Sequence, residues 1–140
     1  MKKYPRLIFI MVFICLFTAC QSNSSESQIR KLVGEFTLHV ENDRFYEASL
    51  LMNQEVLQTV YPSREVYQEV LRDTFDARNG IRIGEMLQES YTMIENLNIL
   101  RGEFIYEIFI DDRSFFWVIK ATYDLSEQYA SISTHFLIEE

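Results

Sequence analysis

The sequence predicts an α+β domain in which about three helices precede a three- to four-stranded antiparallel sheet. Three observations lead there. From Ile29 to Phe75 apolar residues recur at three- and four-residue steps, the period of a helix with one buried face. After Gly84 the period shortens to two, and β-branched and aromatic residues take over. Short polar turns separate these later runs, and strands joined in this way pair antiparallel.

In chain order, Ser25 with Gln28 three residues on fits a capping box. The first helix follows with Ile29, Leu32, Val33, Phe36 and Val40 on one stripe, and Glu41-Asn42-Asp43 ends it. Asp43 is the expected cap of a second helix whose face carries Phe45, Ala48, Leu51 and Met52. Asn53 to Tyr61 adds a further helical turn or two before Pro62. Ser63 caps a third helix bearing Val66, Tyr67, Val70, Leu71 and Phe75, and Asn79-Gly80 supplies its left-handed stop. Leu87 to Leu97 reads as a strand whose apolar positions also suit a helix. Phe104 to Ile110 is a strand with Phe104, Tyr106, Ile108 and Ile110 on one face. After the Asp111–Ser114 turn come Phe115 to Leu125, then Ser126-Glu127-Gln128, then Tyr129 to Ile138.

The opening segment speaks to location. Lys2, Lys3 and Arg6 precede a 13-residue uncharged stretch, Leu7 to Ala19, short of the roughly 20 residues that a spanning helix needs. Small Thr18 and Ala19 then leave the backbone accessible just before Cys20, and a polar run, Gln21-Ser22-Asn23-Ser24-Ser25, follows. Phe17-Thr18-Ala19-Cys20 resembles the lipobox of bacterial lipoproteins, with Phe17 where the family prefers Leu. The resemblance implies a signal peptide over 1–19, a diacylglyceryl-bearing Cys20 with a polar tether over 20–27, and one α+β domain over 28–140. Two other readings of the segment stay open: a secretory leader cut near Ala19 with a free Cys20 thiol, and an uncleaved membrane anchor. Energetics favour the lipid, since a chain contributes roughly 0.8 kcal/mol per buried methylene and two chains hold a protein stably. The expected place is the extracytoplasmic side of the cell membrane or the outer membrane. Gln21, which is not the retaining Asp, favours the outer one where two membranes exist.

Composition excludes several classes of function. Cleavage after Ala19 removes three of the 13 basic residues and none of the 21 acidic ones, leaving ten against 21, a net −11. Such a domain lacks the clustered cations that neutralise phosphate, so nucleic acid is not an expected partner. Cys15 leaves with the leader and Cys20 takes the lipid, so disulfides and thiolate metal sites are excluded from the folded domain. His39 and His135 have no metal-ligand spacing, and Asp111-Asp112 lacks the rest of a calcium loop. Nor is there a glycine-rich phosphate cradle or a G-x-S-x-G elbow. No cofactor is expected.

The order of elements, and the run Glu41-Asn42-Asp43-Arg44-Phe45-Tyr46-Glu47-Ala48, resemble the nuclear transport factor 2-like (cystatin-like) superfamily from about Ser27 onward. That resemblance implies helices packed in the mouth of a curved sheet, and frequent dimers through the opposite sheet face. Two sets of residues stand out against it. Phe115, Phe116, Trp117 and Val118, with Tyr106 on the neighbouring strand, are consecutive enough to cover both faces of a central strand or to leave one as a dimer, partner or ligand surface. His135 lies in phase with Tyr129, Ser131, Ser133 and Leu137, where a hydrogen-bonded strand residue is the default and a pocket role the alternative. The function these features suggest is non-catalytic binding or scaffolding at the cell envelope, toward an envelope protein or small apolar ligand. The alternative is a small-pocket isomerase or hydratase, for which Tyr91, Tyr106 or Tyr123 would be the phenol and Asp124 or Glu107 the base.

Overall fold

The computed structural model describes residues 24–76 and 80–139. The expected leader, Cys20, the expected tether up to Asn23 and Asn79, the expected helix stop, lie outside the described residues. The architecture is α+β, with four helices followed by a four-stranded antiparallel sheet in the order β1-β2-β3-β4.

Helix α1 covers residues 24–41. Ser24 to Ser27, expected in the tether, are already helical, and Ser25 lies buried inside the helix rather than capping it. The expected stripe holds: Ile29, Val33, Phe36 and Val40 are fully buried, and Leu32 packs against their edge. Helix α2, Phe45–Leu50, buries Phe45 and Ala48. Its cap position is Arg44, without a side-chain cap bond. Asp43, the expected cap, instead takes a left-handed φ of 55° in the turn. Short polar side chains tolerate that conformation, which reverses the chain between the two helices. The turn or two expected after Asn53 is a helix of its own, α3, Gln54–Val60, so the helices number four and not three. Asn53 caps it by accepting from the Glu55 and Val56 amides. Helix α4, Arg64–Thr74, starts at Ser63 as expected, with the hydroxyl accepting from the Val66 amide. It buries Tyr67 and Leu71 and delivers Phe75 to the core, whereas Val66 and Val70 stay largely exposed. Gly80, at a φ of 89°, makes the left-handed entry to the sheet that a side chain would resist.

The strands are β1, Ile81–Ile94; β2, Ile99–Ile110; β3, Arg113–Asp124; and β4, Tyr129–Glu139. Strand β1 starts earlier than expected, and residues Glu95–Leu97 form a 3-10 turn instead of its end. Register assigns the faces. Leu100↔Tyr123, Phe104↔Ile119, Ile108↔Phe115 and Trp117↔Leu137 look toward the helices. Ile105↔Val118↔Phe136 and Glu107↔Phe116↔Ile138 look away. The core sits between α1 and the inner face. Gly102 permits this approach, because a Cβ there would lie 2.8 Å from Ile29 Cγ2 and 2.9 Å from Phe104 Cε2.

A second feature closes half of the β4 edge. The chain between α2 and α3 runs parallel to β4 for one bridge, Met52↔Ile132. Ile132 accepts from the Asn53 amide at 2.7 Å and donates to the Leu51 carbonyl at 2.8 Å.

Candidate functional site

Two surfaces merit attention: an aromatic cluster on the inner face and an apolar row on the outer one. The cluster is assembled by four elements and the residue that follows one of them. α1 supplies Phe36, β3 supplies Trp117, β4 supplies His135, α4 supplies Tyr67, and Phe75 follows directly after α4. Phe36 and Phe75 lie 5.7 and 5.0 Å from the Trp117 ring, and 5.2 and 6.1 Å from that of His135. These side chains fill the space between helices and sheet; Trp117, Tyr67, Phe36 and Phe75 are all buried.

His135 is partly buried and both ring nitrogens are engaged. Trp117 Nε1 donates to Nδ1 at 3.3 Å, and Nε2 lies 2.7 Å from the Tyr67 hydroxyl. An indole N–H is donor only, so Nδ1 must be the acceptor; Nε2 then carries the proton and gives it to Tyr67. This neutral form suits the surroundings, because desolvation pushes the imidazole down to about 4. Tyr67 is pushed upward by burial and by the neighbouring Tyr61 ring, and stays a phenol. The default reading of His135 as a hydrogen-bonded strand residue agrees with this geometry.

Its expected phase does not. A register break between Lys120 and Ala121 inserts one extra residue into β4, and the Ser133 hydroxyl there donates to the Lys120 carbonyl. His135 therefore shares its face with Leu137 and Ile132, not with Ser131, whose partner Thr122 lies on the outer face. Nothing in the residue types announces this break. Tyr67 was legible as an apolar helix position but not as a hydrogen-bond partner, since that pairing spans 68 residues.

The five residues divide between the two faces of the sheet. Trp117 is fully buried on the inner face, and Tyr106 and Phe115 pack beside it against the core. Phe116 and Val118 lie on the outer face. Strand alternation is the reason: consecutive residues on a strand point to opposite faces. On that outer face Val118 is flanked by Ile105 and Phe136, with Phe116 and Ile138 in the adjacent row. Phe136 and Ile138 keep 43% and 47% of their surface exposed. A Lys120–Glu103 ion pair at 3.1 Å borders the rows on one side. The Arg113–Glu139 pair at the far end of β3 and β4 is instead in phase with Phe115 on the inner face.

A third group unites α1 with β1. Tyr91 donates to Glu89 at 2.5 Å, and Arg30 reaches the same carboxylate oxygen at 2.6 Å. Burial alone would raise the Glu89 carboxyl. The hydrogen bonds from Tyr91 and Arg30, with the Arg30 charge, outweigh it and hold the group below the usual carboxylate range. The Tyr91 hydroxyl is pushed up by burial and then by Glu89. A carboxylate engaged on both sides is a clamp between helix and sheet. Tyr91 was a candidate phenol by residue type; its partners Glu89 and Arg30, the latter 59 residues from Glu89, were not singled out.

Fully buried polar side chains among the described residues are Ser25, Thr37, Ser49 and Ser131, none of them acidic. Among those residues no group of three or more His, Cys, Asp or Glu is placed to hold a metal ion. No described helix is long and apolar enough to cross a membrane. No protein-family model matches the chain, nor does any curated protein or solved structure.

Proposed function

We propose that this chain is a lipid-anchored domain on the extracytoplasmic side of the cell membrane or outer membrane, binding a partner through the outer face of its sheet without catalysis of its own. The observation that carries the reading is the apolar pair of rows on the side away from the helices, Ile105-Val118-Phe136 and Phe116-Ile138, in which Phe136 and Ile138 are exposed, Ile105 and Phe116 half-buried and Val118 covered by its neighbours. Apolar side chains held in register on a rigid sheet suit a protein surface, because their burial on contact orders little that is not already ordered. The inner face supports the same conclusion from the other side, since Trp117, Phe36, Phe75 and Tyr67 occupy the space that a small substrate would need. Glu89 is the carboxylate beside a phenol, and its engagement with Arg30 favours a clamp over a general base. Helices first, laid against one face of an antiparallel sheet, support a nuclear transport factor 2-like arrangement, whose members often pair through the outer face. The leader pattern ending at Cys20 supports the anchor.

The test is a photo-crosslinking residue at position 136 of the anchored protein in its native membrane, compared with one at position 35 on α1. The expected result is a discrete adduct at 136, either with a second copy or with one envelope protein. Equal and diffuse labelling from both positions refutes the reading.

A further inference from the structure

We propose that the end of the domain formed by the β1–β2 and β3–β4 turns rests on the bilayer, with Leu97 and Tyr129 seated in the headgroup region of a zwitterionic lipid surface. This rests on the acylation of Cys20 proposed above. The first described turn of α1 lies at this end: Ser24, Ser25 and Gln28 line one cleft together with Asn98, Tyr123, Leu125 and Gln128. Gln28 Nε2 is 3.5 Å from the Tyr123 hydroxyl. Cys20 stands four residues before Ser24, and a chain of that length spans at most about 14 Å however it is folded. A lipid on Cys20 therefore brings the bilayer to this end. The opposite end is a strand length away, about 40 Å for the 12 residues of β2.

Side chains distinguish the two ends. At the lipid-proximal one, Leu97 is 58% exposed, Tyr129 50% and Met93 47%, and two of the three flank or form the turns. Tyrosine is a side chain that settles at the membrane–water interface, and Leu97 adds an exposed apolar tip on the other turn at this end. At the distal end the β2–β3 connection is Asp111-Asp112-Arg113, with nothing to place in lipid. Charge selects the lipid. The lipid-proximal turns carry Glu95, Asp124 and Glu127 and no Lys or Arg between residues 93 and 98 or between 124 and 129. Lys31, which lines a cleft with Gln128 and Tyr129, lies 4.0 Å from the Glu35 carboxylate, so this end stays net acidic; anionic headgroups repel it, and zwitterionic ones do not.

The experiment uses the full chain, processed and acylated by its host and reconstituted in phosphatidylcholine vesicles that carry a lipid-borne quencher. Leader removal and acylation leave no native thiol, so Leu97→Cys, Tyr129→Cys and Asp112→Cys can each be given one fluorophore. Labels at 97 and 129 should be quenched several-fold more than the label at 112, and the difference should shrink as anionic lipid is added. Equal quenching at all three sites, on protein whose mass shows an acylated Cys20, overturns this inference while leaving the anchor intact. An unmodified Cys20 overturns both.

Discussion

Acidification should loosen this domain through one ring. His135 accepts from the Trp117 indole at Nδ1, and a second proton there would set two donors face to face. Burial away from water holds the folded imidazole near 4, against an ordinary value near 6.5 in the unfolded chain. The folded pKa is the lower one, so between these values the unfolded state binds more protons and stability rises with pH. The contribution is complete above pH 6.5 and is lost as pH falls toward 4. A tenfold difference in proton affinity between the two states corresponds to about 1.4 kcal/mol, so moving from pH 8 to pH 5 should remove about 2 kcal/mol. Glu65 and Glu89 are both held below the ordinary carboxylate value, so their losses begin at lower pH and leave this window to the histidine. Urea unfolding followed by Trp117, the single tryptophan, supplies the assay. The midpoint should fall by about 1 M urea between pH 8 and pH 5, given slopes of roughly 1–3 kcal/mol/M. In His135→Gln the fall should largely disappear. An equal pH dependence in that variant would refute the reasoning.

Three further outcomes follow from the packing. Gly102→Ala should destabilise by about 1–3 kcal/mol, because its Cβ must displace Ile29 and Phe104 in a filled core; the urea midpoint checks it, with an unchanged slope expected. Ser63→Ala removes the acceptor for the Val66 amide and should cost about 1 kcal/mol by the same measurement. Ile138→Ser, on the outer face, should alter stability by less than about 0.5 kcal/mol while abolishing the crosslink made from position 136.

The parts of the fold legible in the sequence are those governed by local periodicity. The α1 stripe from Ile29 to Val40, the Ser63 cap and the alternation Phe104-Tyr106-Ile108-Ile110 each follow from neighbours within a few residues. What escaped depends on distant partners or on a single inserted residue. The extra residue at Ser133 reverses the phase of β4 beyond it, and only pairing with β3 reveals that reversal. Trp117 looked like a surface candidate because it stands in an apolar run, yet alternation puts it in the core beside Phe36 and Phe75. The His135–Tyr67 bond and the Arg30–Glu89 pair join segments 68 and 59 residues apart, beyond any local pattern. Placement of Phe116 and Val118 on one side, away from Phe115 and Trp117, became definite once the register was known.

The short parallel bridge at Ile132 has a consequence for self-association. A terminal strand is a template onto which further copies can add, one ladder after another, into fibres. Here the Leu51 and Asn53 backbone already occupies that template at Ile132, so an incoming strand finds two shorter stretches in place of one continuous edge. At the other margin β1 carries two register breaks between Ile83 and Gln88, which spoil the flat ribbon that stacking requires. Molecules crowded at high density are thereby kept from growing into open-ended assemblies.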